Sequence, residues 1–451
     1  MAPPVPLLCI CVAQWSQNLL KMKKLLFLTY YFPPNLAVGG RRIENFVSAV
    51  KKTGNQARVL TIGVDDGCSP DYVDFVPRDH KSHHGWKEKY QLARRDNKKL
   101  SALFARINYA LHKFLEQRRV DRSFIKAAET IIRRHGIDIV ITSGPPFVLN
   151  RVGVKLKKKL RIKWIADFRD PWVYPEELYK TNFPIPSKRE KALYFQTLEL
   201  ADHITAATMS QAAYLESQFQ YASVNKGGAQ GRRAGERYAR KKTFCHLPNG
   251  VDLSLFDRAV SSQYQFSDGT NIGYLGDLDY NHRDPRNILR AVKQLNSTSS
   301  SKIHIHFWCD LTSDPTWDNT SLPDFVAELG LKEYVHINSY VPFEESLDIQ
   351  RNLDLLIIFA FGQPLQIPAK TYEYLLSGSH ILGFCESDSE TFRLLNSHEG
   401  VILIDDNSVT KIAAALQEII ERSNKKVSRS GTHALSPEQD MVDYFEKLLK
   451  A

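Results

Sequence analysis

Lys370 and Glu373 lie three residues apart in the stretch Gln366-Ile-Pro-Ala-Lys-Thr-Tyr-Glu-Tyr-Leu-Leu-Ser-Gly378. At that spacing on a helix the two side chains share a face. A cation there suits a phosphate, and a carboxylate suits sugar hydroxyls. The helix N-terminus adds unpaired N–H groups and the positive end of the dipole, both of which favour anions. Pro368 fits the first helical position and Gly378 the position just past the end. The apolar run from Leu353 to Phe361 reads as a buried strand leading into it. Side by side at a strand's C-terminal end, the pair points to a nucleotide-sugar pocket. The same residues also fit an ordinary helix whose Lys and Glu face water.

Other candidates sit at comparable places. Asp167 and Asp170 close the strand Ile162–Asp167, where open α/β sheets place chemistry. Either could orient or deprotonate an acceptor hydroxyl, and either could equally cap or bridge. Gly39 and Gly40 end the loop after the strand Lys24–Thr29 and open a helical stretch from Arg41 to Thr53. They would let backbone approach a phosphate at the helix entrance, though the G-x-G-x-x-G fingerprint is missing and a plain turn fits as well. His80, His83 and His84 have no acidic or Cys partners at metal-ligand spacing. His304 and His306 alternate with apolar residues in Ile303–Cys309, which predicts a half-exposed strand and not a metal pair.

These residues need elements to position them, and the chain supplies an α/β alternation. Strand, Gly-bearing loop, helix and strand run from Lys24 to Gly63, with Gly54 as the helix stop. The rhythm resumes with a helix over 122–135, a strand Ile137–Ser143, a helix Phe147–Leu160, and the strand that ends at Asp167. A helix over 188–201, a strand His203–Thr208 and a helix over 210–218 follow. A second series begins at Asn271–Gly276 and ends with the helix over 409–422, followed by an amphipathic helix over 436–450. Between the rhythmic stretches, Leu100–Leu115 is amphipathic and fits either a membrane surface or the core. Ala222–Lys242 reads as a mobile basic insertion.

Composition narrows the class. Hydrophobic residues make up 43% and charged residues 24%, as in a soluble globular protein, and no apolar run is long enough to span a membrane. The six cysteines show no zinc spacing, which fits a reduced, cytoplasmic setting. Residues 1–262 carry 44 Lys and Arg against 23 Asp and Glu; residues 263–451 carry 16 against 27. That asymmetry predicts two domains with different partners and a boundary near residue 262. A basic N-terminal half could face an anionic membrane leaflet, an acidic acceptor or nucleic acid. Nucleic acid is the weakest of these, because residues 222–242 interleave only Tyr238 with the basic side chains. Met22 reads as a natural start, leaving residues 1–21 as an upstream extension.

In order and spacing, five motifs resemble the GT-B-fold glycosyltransferases of family 4, retaining enzymes that use nucleotide sugars. They are Tyr30-Tyr-Phe-Pro-Pro through Gly39-Gly40, Ala166-Asp-Phe-Arg-Asp-Pro-Trp172, Leu247-Pro-Asn-Gly-Val-Asp252, Gly273-Tyr-Leu-Gly276 and Pro368-Ala-Lys-Thr-Tyr-Glu-Tyr374. The resemblance covers most of residues 22–450. It implies two Rossmann-like domains facing each other across a cleft: an acceptor-side domain over 22–262 with the insertion 222–242, and a donor-side domain over 263–435. The final helix, 436–451, would cross back to the N-terminal domain.

Glu373 would be the second glutamate of the family's E-x7-E motif and bind the nucleotide ribose. The first falls on Leu365, a departure that leaves the donor sugar to the backbone around Leu365 to Ile367. Asp277 follows Gly276 where the family usually has Arg, so Arg283 or Arg286, with Lys370, would hold the diphosphate. Gly39 and Gly40 match the family's glycine loop, and Asp167 or Asp170 falls near the reacting centre.

The implied activity is transfer of a sugar from a nucleotide-sugar donor to a saccharide or lipid-linked acceptor, with retention and without a metal or other cofactor. A sugar-nucleotide epimerase or hydrolase of the same fold, and a non-catalytic nucleic-acid-binding protein, are the alternatives.

Overall fold

The computed structural model describes residues 22–33, 38–64, 67, 69–77, 121–173, 188–225, 242–278, 282–309, 320–422, 427, 429 and 432–450. The sequence-based expectations for residues 1–21, for His80, His83 and His84, for 100–115 and for most of 222–242 fall outside them.

Two parallel sheets carry the chain. The first has seven strands in the order β3-β2-β1-β4-β5-β6-β7. These are β1 (Lys24–Leu28), β2 (Gln56–Ile62), β3 (Val73–Val76), β4 (Ile139–Gly144), β5 (Lys163–Phe168), β6 (His203–Ala206) and β7 (Thr243–His246). The second has six, β10-β9-β8-β11-β12-β13. They are β8 (Thr270–Leu275), β9 (Ile303–Trp308), β10 (Val335–Asn338), β11 (Leu355–Phe359), β12 (His380–Phe384) and β13 (Val401–Ile404). Continuous apolar runs such as Leu355–Phe359 are buried along their whole length, as strands covered on both faces must be. In each sheet the order reverses once, and in the second it does so between β8 and β11. Open α/β sheets bind ligands beyond the C-terminal ends of the strands at such a switch point.

The chain forms two compact units. One takes the residues up to Ile141, Leu160–Lys163 and the chain from Glu438 onward. In it α1 (Val38–Lys52), a helix over 121–135 (α2) and the last helix accompany β1 to β3. The last helix, Glu438–Lys450, lays Phe445 edge-on against Phe27 of β1 at 6.4 Å and against Phe46 of α1 at 5.6 Å. Phe445 is almost wholly buried, a contribution of about 1.5–3 kcal/mol. Lys52 pairs with Glu438 at the rim.

The second unit, Thr142–Lys159 with Trp164–Pro437, contains the whole six-stranded sheet. Its β9 corrects one expectation. All six residues of β9 are buried, including His304 and His306, so the strand is not half-exposed. The face that looked polar is covered by the segment leading into β8. Tyr264 packs edge-on to His306 at 5.6 Å and to Trp308 at 5.0 Å. The His306 ring is fully served: Nδ1 meets the Tyr264 hydroxyl at 2.7 Å and Nε2 meets Asn271 Oδ1 at 2.8 Å. The Asn271 amide nitrogen donates to the Ser267 and Gly269 carbonyls, which fixes its oxygen as the acceptor. His306 is therefore a neutral tautomer donating from Nε2. Burial first, then the neighbouring His336 and His304, hold its pKa at about 3. No group of three or more potential ligands able to hold a metal ion occurs among the described residues.

Candidate functional site

The switch point of the second sheet gathers two loops, one after β8 and one after β11. The second runs into the helix Lys370–Ser377 (α9). That helix starts two residues later than Pro368 suggests, because the Pro368 carbonyl accepts from Thr371 N at 2.9 Å and forms an entry turn. Gly378 ends it at φ +80°, the left-handed conformation a helix stop of this kind requires. Seated against β8, α9 holds both backbone groups of Leu275: Tyr374 Oη accepts from Leu275 N at 3.2 Å, and Lys370 Nζ donates to the Leu275 carbonyl.

Lys370 therefore does not face water. Its ammonium lies 4.0 Å from the centroid of the Tyr274 ring and directly under Gly276. Gly276 has φ +134°, a conformation that favours glycine, and a Cβ there would stand 2.5 Å from Nζ and displace the amine. No carboxylate of a described residue pairs with Lys370. Burial chiefly, then the charge of Arg283, pushes its pKa down to about 7; Glu373 and Asp277 oppose the shift. Glu373 stands three residues on, half-buried.

Around this amine Asp277, just after β8, is tied down. Asp277 offers its carbonyl to the Tyr274 hydroxyl at 3.1 Å and to Arg283 Nη1 at 3.4 Å, and its carboxylate accepts from the Tyr340 hydroxyl. Arg283 thus keeps a place beside Lys370. Arg286 is held differently: its guanidinium grips Asp284, two residues before it, with Nη2–Oδ2 at 2.7 Å and Nε–Oδ2 at 2.9 Å. That neutralises the charge at the start of the helix Arg286–Thr298 (α6).

The loop after β11 is equally defined. Leu365 is buried, and its carbonyl accepts from Thr208 Oγ1 at 2.7 Å. The Gln366 carbonyl accepts from Thr391 Oγ1 at 3.0 Å. Ile367 packs its side chain on the apolar core. Neither the Leu365 amide nor the Ile367 amide has a hydrogen-bond partner among the described residues. Gln366 Nε2 donates to Asp170 Oδ1 at 2.9 Å. This bond brings Asp170, half-buried past the end of β5, to the same loop.

Asp167 has a different setting. It is fully buried within β5, between hydroxyls of the two flanking strands: Ser143 Oγ reaches Oδ2 and Thr205 Oγ1 reaches Oδ1, each at 2.7 Å. The carboxylate ties β4, β5 and β6 together and presents no oxygen to a reacting hydroxyl. Gly39 and Gly40 lie in the first turn of α1, not in the loop before it, and both are buried. The Asn249–Asp252 loop packs against the chain just before the last helix, with Val251 N donating to the Leu435 carbonyl at 2.9 Å.

Sequence reasoning missed Tyr374, although it stands four residues after Lys370 and so on the same helix face. It also missed Asp284, whose spacing from Arg286 across Pro285 was a readable signal. Thr208 and Tyr340, distant in sequence from their partners, gave none.

The architecture has clear counterparts among solved structures. Sucrose-phosphate synthase from Thermosynechococcus elongatus superposes with a TM-score of 0.59 at 13% identity, covering 95% of this chain and 98% of that one. Anabaena Alr3699/HepE, solved in complex with UDP-glucose, gives 0.54 at 13% identity over 95% and 98% of the two chains. The UDP-GlcNAc 2-epimerase of Methanocaldococcus jannaschii gives 0.51 at 13% identity over 95% and 100%. The fold is GT-B, the two-domain α/β architecture of these glycosyltransferases and epimerases. The chain matches no protein-family model, and no curated protein is similar enough to match it.

Proposed function

We propose that this chain is a glycosyltransferase that binds a nucleotide-sugar donor at the switch point of its six-stranded sheet. One observation supports the reading: Lys370 Nζ, packed under Gly276 beside Arg283, lies at the switch point where open α/β sheets bind ligands, with Glu373 on the same helix, and an arriving diphosphate would favour its charged form. Lys370 and Arg283 would meet the donor diphosphate, and Glu373 the ribose hydroxyls. The Leu365 and Ile367 amides offer donors to the sugar in place of a glutamate at 365.

A nucleoside diphosphate is a good leaving group, so the reaction needs cationic charge at the departing oxygens and an acceptor hydroxyl close to the anomeric carbon. Asp170, tied to Gln366 of the donor loop, would orient that hydroxyl. Attack from the face the diphosphate leaves gives retention, without a glycosidase-type carboxylate pair. The acceptor is a saccharide or lipid-linked precursor, consistent with the positive charge of residues 1–262 and with an anionic membrane face. No helix among the described residues is long and apolar enough to cross a membrane.

The epimerase neighbours give a second reading, sugar-nucleotide epimerisation or hydrolysis. A thermal-shift screen against nucleoside diphosphates and their sugars tests the shared premise. Product analysis of any stabilising donor, with and without saccharide acceptors, separates the two. Transferase activity predicts an acceptor-dependent glycoside; an isomerised donor formed without acceptor would favour the epimerase, and stabilisation by none of the ligands would remove both.

A further inference from the structure

At the N-terminal ends of β1 and β2, opposite the ends from which Thr29 and Gly63 lead off, the first unit holds a cavity of about 370 Å³. Its lining is rich in positive charge. Lys24 begins β1, Lys51 lies in the last turn of α1, His135 ends α2, and Arg58 comes from β2. Arg58 is engaged, with Nε and Nη2 on Asp74 Oδ2 at 3.1 and 2.9 Å. The others form no ion pair with a described residue, although the Asp138 carboxylate accepts from the Lys24 backbone N–H at 2.8 Å and Asp74 acts on His135. The side chains of Lys24 and His135 make no hydrogen bond or ion pair with a described residue, and the Lys51 ammonium rests 3.6 Å from the centroid of the Tyr72 ring. The one carboxylate in the lining, Asp71, is exposed.

Leu25, Ala57 and Ile137 are buried beside it, and next to the protein interior like charges repel more strongly than in open water. Burial first, then the Arg58 and Arg134 charges, push the His135 pKa below the usual range; Asp74 opposes the shift and Lys24 adds to it.

We propose that this cavity is an anion site for a small phosphorylated molecule, held by Lys24, Lys51 and His135 and independent of the Lys370 site. Two ammonium groups and a protonatable imidazole match a phosphate dianion better than a single carboxylate. The cavity volume and the Tyr72 ring leave room for a short carbon skeleton beside the phosphate. An arriving dianion supplies the missing negative charge, so its binding draws a proton onto His135. The position away from the C-terminal strand ends suits an effector and not a substrate.

The test uses the full chain, with inorganic phosphate and then pyrophosphate as probes. The His135 ring-proton resonance, assigned by its loss in His135→Gln, is followed by NMR through the titration. A saturable shift is expected, with the His135 titration midpoint moving to higher pH when the anion is bound. Lys24→Gln combined with Lys51→Gln should weaken binding about tenfold or more. Lys51→Gln alone, at an exposed position that leaves folding intact, should weaken it by a smaller factor. Lys370→Met should leave it unchanged. Absence of a saturable shift, equal affinity in the Lys51→Gln protein, or loss of the shift in Lys370→Met would each overturn the proposal.

Discussion

Asp167→Ala removes a carboxylate that is fully buried and accepts two hydroxyl hydrogen bonds of 2.7 Å, one from each neighbouring strand. A hydrogen bond to a charged group contributes about 1.5–3 kcal/mol, and the truncation strands both hydroxyls in the sheet interior. Two such bonds give a gross loss of about 3–6 kcal/mol, which rotation of the Ser143 and Thr205 hydroxyls toward backbone acceptors reduces to about 3–5 kcal/mol. Asp167→Asn keeps the volume and one good acceptor, so about 1–2 kcal/mol is expected. Urea unfolding followed by far-ultraviolet circular dichroism and tryptophan fluorescence reads both numbers, because Trp164 is buried on the same strand. The reasoning fails if Asp167→Ala unfolds within about 0.5 kcal/mol of the parent. It fails differently if Asp167→Asn is as stable as the parent yet abolishes turnover, since the carboxylate would then act on the reacting groups.

Three further outcomes follow from the packing and the titrating groups. Gly153→Ala would place a Cβ 2.2 Å from the buried Trp164 indole, so thermal unfolding should show a loss of about 1–3 kcal/mol; an unchanged melting temperature would contradict the described contact. Lys370 has a folded-state pKa near 7, below its unfolded value, so the unfolded chain binds more protons between about pH 7 and 10. Lys370 therefore makes stability rise with pH in that window, and Lys370→Met should remove that part of the rise when the two denaturation profiles are subtracted. His306, near 3 in the fold, titrates from about 6.5 in the unfolded chain. Stability should fall as pH drops from about 6.5 toward 3, and His306→Gln should lose less over that range than the parent.

The α/β rhythm was legible because buried parallel strands write themselves as uninterrupted apolar runs, as in Leu25–Leu28 and Leu355–Phe359. Gly378 was legible because a helix stop in the left-handed region selects glycine. The pairing of Lys370 with Glu373 was legible as a spacing, but the spacing could not say which way the face turns. That depended on Gly276, 94 residues earlier in sequence, leaving room for the amine. The role of Asp167 was hidden for the same reason. Its partners come 24 residues before it and 38 after, and only the strand order places their hydroxyls beside it. The histidines of β9 were misread because their cover, Tyr264 and Phe266, comes from the irregular segment before β8 and leaves no periodic trace.

The claim that the six-stranded sheet binds a nucleoside diphosphate at Lys370 and Glu373 is tested most directly by calorimetry of parent and Glu373→Ala proteins against the best nucleoside diphosphate. A saturable isotherm for the parent and affinity reduced about tenfold or more in Glu373→Ala are expected, a loss of about 1.4 kcal/mol or more. Equal affinities in the two proteins, or no binding of any nucleoside diphosphate by the parent, would contradict it.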